Sequence, residues 1–320
     1  MKILFITHPY PNYVPDLLLH GLRKLLGPDV VDFPRKDCVY DGVLGLGVCP
    51  EDQQCPGWFP ADDGLIDRTD VWKKAERGHF THVVCDVRAT SVLQNELKEL
   101  PPRLVLLDGE DTPVAFPPGR YVICRRETDG SDFSIPLPMA IPEELLAWIT
   151  AYDCLPKTHV VGFLGSTADG RRRAIVERVS ARFPDCLFQA TAVPLPGSPT
   201  PVGRLGRDEY YQKLQMCHVV LSLAGAGFDT FRFWENAACH AVHVAERMPL
   251  FIPNDFQDGV HIHRFATLDE LERLVERIWD HEEARSQMIE AGRRHLREHH
   301  LTSSRASYFL DRIGRAFGGR

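Results

Sequence analysis

The sequence predicts an α/β protein of two domains, each built on a parallel sheet that helices cover on both faces. Three observations lead to this prediction. Apolar strand-like runs alternate with amphipathic helix-like runs in both halves of the chain, a pattern typical of parallel sheets. A proline-rich stretch, residues 128–158, interrupts the alternation and is predicted to be a connector with one short helix. The length of 320 residues exceeds one typical core and fits two domains of ordinary size.

The first half is predicted to contain four strands and two helices. The opening run KILFIT is apolar enough for a buried strand, and DLLLHGLRKLLG after it has helical spacing and a terminal glycine. The stretch from about 34 to 67 is dense in Pro, Gly, Asp and Cys and is predicted to be irregular. The predicted strands cover 2–7, 81–87, 103–111 and 121–127, and the predicted helices cover 16–27 and 90–100.

The second half repeats the alternation and ends in a helical tail whose charged residues surround an apolar stripe. The predicted strands cover 159–167, 187–193, 218–225 and 241–245, and the predicted helices cover 170–183, 208–217, 230–239 and most of 268–315. We therefore place one Rossmann-like domain at 1–150 and a second at 151–320, joined near 140–158. The last helices are candidates for packing back on the first domain. Because doubly wound sheets bind ligands at the carboxyl ends of their strands, the site is expected in the cleft between the domains.

The composition excludes several classes of protein. A net charge of −7 argues against a nucleic-acid partner, whose binding surface would be basic. No apolar run has membrane-spanning length, and the start MKILFITHPYP lacks the cleavage site of a signal sequence. The nine cysteines are odd in number and contain no Cys-x-x-Cys pair. This pattern favours reduced thiols in a cytoplasmic protein over disulfides or a zinc site.

The first candidate anion site follows the strand that opens the second domain. There VVGFLGST is a strand and small-residue turn, and GRRR begins a helix. Gly165 lets the backbone approach an anion, while Ser166, Thr167 and Arg171 are candidates for hydrogen bonds to phosphate oxygens. An ordinary strand-to-helix turn with solvated arginines is the alternative. The Walker pattern is absent, so the sequence does not indicate nucleotide hydrolysis.

The second candidate is the segment AGAGFDTFRFWENAACHAVHVAE, residues 224–246. A flexible turn with Gly225 and Gly227 precedes a predicted helix on which Arg232 and Glu235 are three apart and share a face. The start of a helix presents backbone N–H groups that attract anions. The spacing therefore predicts a binding site for phosphate and sugar, with a chance surface ion pair as the alternative.

This segment resembles the donor-binding region of GT-B glycosyltransferases, particularly the CgeB-like and exostosin-like branch. FDTFRFWENAACHAVHVAERMPLF carries the Arg-x-x-Glu pair followed by Ala-Cys and an apolar strand, and the resemblance extends over about 159–312. It implies a GT-B architecture in which Glu235 holds the donor ribose and Arg232 reaches the diphosphate. It departs from the family at His240, where Ala-Cys is usually followed by glycine.

In the first domain, LLDGEDTP resembles the Asp-x-Pro element of CgeB-like proteins and places Asp111 at the matching position. A carboxylate there is a candidate general base for an acceptor hydroxyl, with a solvated acidic turn as the alternative. Asp86 and His8 also follow strands and are further candidates.

The resemblance implies sugar transfer from a nucleotide-sugar donor to the hydroxyl of a glycan, lipid, protein or small molecule, with retention at the sugar carbon. No metal or other cofactor is expected, because no histidine pair has a third ligand at recognised spacing and Asp108-Gly-Glu110-Asp111 only loosely imitates Asp-x-Asp. Two other functions stay open. One is a nucleotide-sugar epimerase of the same fold, and the other is a nucleotide-sugar-binding protein without catalysis.

Overall fold

The structure is a computed structural model that describes residues 1–41, 58–60, 62, 64–96, 101–117, 119–167, 169–190 and 205–318. Two compact units divide the chain. Unit 1 comprises Met1–Glu143, Pro249–Pro253 and His299–Arg320, and unit 2 comprises Glu144–Met248 and Asn254–Glu298. Each has its own parallel sheet, so the predicted α/β fold class is confirmed.

Unit 1 is built on a six-stranded parallel sheet in the order β2-β1-β3-β4-β5-β6. The strands are β1 Ile3–Ile6, β2 Val30–Phe33, β3 His82–Asp86, β4 Leu104–Asp108, β5 Tyr121–Arg125 and β6 Ile135–Pro136. The helices are α1 Tyr13–Leu26, α2 Val71–Glu76, α3 Thr90–Glu96 and α10 Thr302–Gly318. All residues of β1, β3 and β4 are buried, because helices cover both faces of the sheet. That burial explains why these strands read as continuous apolar runs.

The last helix, α10, belongs to unit 1 and packs on α1. His20 Nδ1 and Thr302 Oγ1 lie 2.7 Å apart at this contact. A Cβ atom added to Gly21 would lie 2.0 Å from the Thr302 carbonyl oxygen. Only glycine therefore permits the two helices to approach this closely.

Unit 2 has a five-stranded parallel sheet in the order β11-β10-β9-β7-β8. The strands are β7 His159–Gly165, β8 Leu187–Ala190, β9 Cys217–Ser222, β10 Val242–Glu246 and β11 His263–Phe265. The helices are α4 Glu143–Thr150, α5 Gly170–Arg182, α6 Arg207–Gln215, α7 Phe231–Ala238, α8 Leu268–Asp280 and α9 Glu282–His299. The core of this unit joins apolar residues of the three central strands to Val179 of α5 and to Leu271 and Val275 of α8.

The sequence analysis missed three strands and one helix: β2, β6, β11 and α2. The missed elements are short, and β2 and β11 carry charged residues within VVDF and HRF. The third predicted strand ends at Asp108 rather than at residue 111, and the helical tail is three helices instead of one. Residues 191–193 of the predicted strand 187–193, and most of the predicted irregular stretch, lie outside the described residues.

The seven cysteines that the structure describes are free thiols, as the sequence predicts, whereas Cys49 and Cys55 lie outside the described residues. Within the described part of the chain, no helix combines the length and the apolar character needed to span a bilayer.

Candidate functional site

Three neighbouring strands of unit 2 bring the predicted site residues to one edge of the sheet. β7, β9 and β10 are adjacent and parallel, so their carboxyl ends meet at Gly165, Ser222 and Glu246. The loop from β7 to α5 contains Ser166 and Thr167, and the loop from β9 to α7 contains Gly225 and Gly227. Such an edge is where parallel α/β sheets bind ligands.

Two arginines from the first turn of α5 hold these loops together. The buried Arg172 donates to the carbonyl oxygens of Ser166 at 3.1 Å, Leu223 at 3.1 Å and Ala224 at 2.8 Å. Arg171 donates to the same Ala224 carbonyl at 2.8 Å. The sequence analysis named Arg171 and missed Arg172, which the run GRRR could not single out.

Arg232 lies against the end of β7. Its guanidinium carbon is 5.2 Å from the centre of the Phe163 ring, a cation–π distance. A Cβ atom on Gly165 would lie 2.5–2.9 Å from three guanidinium atoms of Arg232. Gly165 is therefore needed because a side chain there would displace Arg232.

The three guanidinium groups interact electrostatically. Burial lowers the pKa of Arg172, and the positive charges of Arg232 and Arg171 lower it further. Mutual repulsion of this kind means that negative charge added among the arginines is stabilised. The arrangement thus favours an anionic ligand.

Glu235 lies one turn after Arg232 on α7 and is held by two tyrosines from α6. Tyr211 donates its hydroxyl to Oε1 at 2.6 Å, and Tyr210 donates to Oε2 at 3.2 Å. Burial raises the pKa of Glu235, while the Tyr211 hydrogen bond and the Arg232 charge oppose that rise. The Tyr210 hydroxyl also accepts a hydrogen bond from the Arg232 guanidinium. The predicted Arg–Glu pair is thus joined through a tyrosine that sequence reasoning missed.

The remaining predicted residues of this site lie in the two loops. The Gly225 N–H donates to the Gly227 carbonyl at 2.8 Å. Ser166 and Thr167 are half-buried. The structure therefore brings Gly165, Arg171, Arg232 and the loop glycines to the same strand ends as the Arg172 guanidinium.

The two histidines after α7 have partners inside unit 2. The His240 N–H donates to Gln215 Oε1 at 2.7 Å, and its carbonyl accepts from Lys157. His243 is buried beside Ser222, with Nε2 2.8 Å from Oγ, and burial lowers its pKa to about 3. His243 is therefore a neutral core residue at ordinary pH.

A second polar cluster lies at the carboxyl ends of β1 and β3 in unit 1. Asp86 is fully buried and accepts from the Arg88 N–H at 3.0 Å and from Asn12 Nδ2 at 3.3 Å. Burial raises its pKa, and the hydrogen bond from the Arg88 N–H and the positive charge of Lys36 oppose the rise. His8 is half-buried, and its Nδ1 accepts from the Tyr10 N–H at 3.2 Å.

Asp111 lies apart from these contacts. Its side chain is 54 % exposed, and its carboxylate accepts a hydrogen bond from the buried Arg126. Of the three candidate bases, Asp111 and His8 are accessible, whereas Asp86 is not.

The sequence analysis also missed a buried ion pair in unit 1. Lys36 is 1 % exposed and donates to the carbonyls of His8 at 2.6 Å and Tyr10 at 2.7 Å. Its Nζ lies 3.0 Å from Asp16 Oδ1. Burial of Asp16 outweighs the Lys36 charge and raises its pKa to about 6. The pair fixes the backbone that carries His8.

Comparisons with known proteins agree with this architecture. The family described as "Glycosyl transferase-like" matches residues 171–311. A search of curated proteins finds no match. Among solved structures, a glycosyltransferase from Rickettsia africae ESF-5 is similar with a TM-score of 0.63 and 8 % identity, covering 100 % of this chain and 99 % of that one.

Two further structures extend the comparison. Anabaena Alr3699/HepE in complex with UDP has a TM-score of 0.61 and 11 % identity, covering 98 % of this chain and 100 % of that one. T4 phage BGT in complex with UDP-glucose has a TM-score of 0.51 and 15 % identity, covering 99 % of both chains. The GT-B resemblance and fold are confirmed, and the CgeB-like and exostosin-like assignment stays a prediction.

Proposed function

We propose that this chain is a glycosyltransferase that binds a nucleotide-sugar donor through unit 2 and transfers the sugar to an acceptor hydroxyl. The observation that carries the proposal is the convergence of Arg171, Arg172 and Arg232 at the ends of β7 and β9, with Glu235 one helical turn away. This arrangement supports a ligand with a diphosphate and a hydroxyl-bearing sugar. The family match over residues 171–311 covers the same part of the chain.

Each residue has a proposed role. Arg232 and Arg171, with the amino end of α5, stabilise the negative charge that develops on the leaving diphosphate. Gly165, Gly225 and Gly227 keep the backbone open to the phosphates, and Ser166 and Thr167 donate hydroxyls. Glu235 accepts hydrogen bonds from the ribose hydroxyls, since a carboxylate has acceptor sites beyond those that Tyr210 and Tyr211 occupy.

No metal is needed for this chemistry if the arginines supply the positive charge. We propose transfer with retention, in which leaving-group oxygens assist the acceptor and Asp111 contributes only modestly as a base. The hydrogen bond from Tyr10 occupies the Nδ1 lone pair of His8. Neutral His8 then carries its proton on Nε2 and is better placed to donate a hydrogen bond than to accept a proton. The free cysteines suit a cytoplasmic location, which remains part of the proposal.

Thermal unfolding with nucleoside diphosphates and nucleotide sugars tests donor binding. A ligand at about 100 times its Kd stabilises the native state by about 2.7 kcal/mol. Incubating the best donor with and without an acceptor panel then tests transfer. Transferred sugar supports the proposal, as does slow donor hydrolysis without acceptor. Epimer formation would indicate an epimerase, and tight binding without turnover would indicate a binding protein.

A further inference from the structure

Glu246 is the last residue of β10, and its carboxylate accepts hydrogen bonds from two donors of the proposed diphosphate site. Its Oε2 accepts from the Ala224 N–H at 2.6 Å, and its Oε1 accepts from the Arg171 guanidinium. The side chain is only 17 % exposed. A backbone N–H and a guanidinium are also the groups that bind phosphate oxygens in proteins.

The surrounding contacts show that Glu246 is not needed to hold the loop. Arg172 already fastens the loop by donating to the Leu223 and Ala224 carbonyls at 3.1 and 2.8 Å. Arg171 donates to the Ala224 carbonyl as well as to Glu246. Loss of the Glu246 charge therefore leaves three hydrogen bonds that position the loop.

Resting on the proposed function, we propose that Glu246 is an internal competitor for the donor diphosphate. Its carboxylate takes the Arg171 and Ala224 donors when the site is empty. The diphosphate releases both from Glu246 when it binds. The competition lowers affinity for the nucleoside diphosphate product and so speeds its release.

Calorimetric titration with uridine, guanosine and adenosine diphosphates tests this inference on the full-length chain. Glu246→Gln keeps a side-chain oxygen for the Ala224 N–H and removes the negative charge. It should bind the preferred diphosphate at least about tenfold more tightly than wild type, with slower dissociation in stopped-flow. Glu276→Gln is the matched control, because Glu276 of α8 forms an ion pair with the exposed Arg182, which lies at the opposite end of α5 from Arg171.

A second variant pair identifies the released group. In an Arg171→Ala background, Glu246→Gln should gain less than about threefold, because Arg171 is no longer there to be released. Unchanged or weaker binding by Glu246→Gln, beside normal binding by Glu276→Gln, would overturn the inference and leave the proposed function standing. Failure of wild type and of every variant to bind any of the three diphosphates would overturn the proposed function and this inference with it.

Discussion

Asp16 is a carboxylate on α1 that the fold buries beside Lys36. Burial raises its pKa from 3.8 to about 6. A raised carboxyl pKa stabilises the native state fully below the unfolded value, and this contribution is lost as pH rises through the native value. Each pH unit between the two pKa values is worth about 1.36 kcal/mol. Once Asp16 is ionised in both the native and the unfolded state, it lowers the free energy of unfolding by about 3 kcal/mol. About 2 kcal/mol of that loss falls between about pH 4.5 and pH 7.5.

Asp16→Asn removes this titration. The free energy of unfolding of the variant relative to wild type should therefore rise by about 2 kcal/mol from about pH 4.5 to about pH 7.5. Urea unfolding of both proteins at a series of pH values measures the difference, in which other titrations cancel. Carbon-13 carboxyl NMR reads the Asp16 pKa directly, with the variant identifying the signal.

Asp70→Asn is the matched control, because its exposed ion pair with Lys73 lowers the pKa of Asp70. A lowered pKa stabilises the native state above the unfolded value, and this contribution is lost only as pH falls through the native value. The Asp70→Asn difference should therefore stay nearly flat from about pH 4.5 to about pH 7.5 and change only below about pH 4, with the opposite sign of slope. An Asp16→Asn difference that is flat or falls with pH, or an Asp16 carboxyl that titrates near 3.8, would refute the reasoning.

The remaining predictions concern turnover and binding. Arg232→Ala should lower turnover by about a hundredfold to a thousandfold, because a preorganised charge at the leaving diphosphate is lost. Asp111→Asn should lower turnover by only about tenfold to a hundredfold. Initial-rate assays that reversed this ranking would show that the base contributes more to catalysis than the arginine at the diphosphate. Gly165→Ala should displace the Arg232 guanidinium and weaken nucleoside diphosphate binding about tenfold with little change in melting temperature. Gly170→Ala, whose added Cβ meets nothing within 4 Å, is its control, and equal affinities for the two glycine variants would count against the packing argument.

The sequence predicted the strands that are buried on both faces. β1, β3 and β4 are continuous apolar runs, and their burial leaves no room for the polar alternation that makes a strand ambiguous. β2 was not predicted because the charged residue Asp32 lies within it. The Asp32 carboxylate is satisfied by Arg23 at 2.8 Å and by Arg68 at 2.7 Å, partners that no local pattern could indicate.

In the candidate site as well, local features could be predicted from the sequence, whereas contacts between distant residues could not. The three-residue spacing of Arg232 and Glu235 is a local helical property and is visible in the sequence. Tyr210 and Lys36 are brought to their partners by the fold, from a different helix and from a loop after β2. Glu246 could be placed at the end of a strand but not opposite Arg171, which lies 75 positions earlier.

The proposed contact between Glu235 and the ribose of a nucleotide ligand is tested most directly at the ribose 2′-hydroxyl. Calorimetry should compare the preferred nucleoside diphosphate with its 2′-deoxy analogue, on wild type and on Glu235→Ala. Wild type should bind the deoxy analogue about tenfold to a hundredfold more weakly, as expected for a lost hydrogen bond to a charged group. Glu235→Ala should bind both ligands equally, with an unchanged circular dichroism spectrum. A Glu235→Ala variant that still discriminates as strongly as wild type would contradict the account.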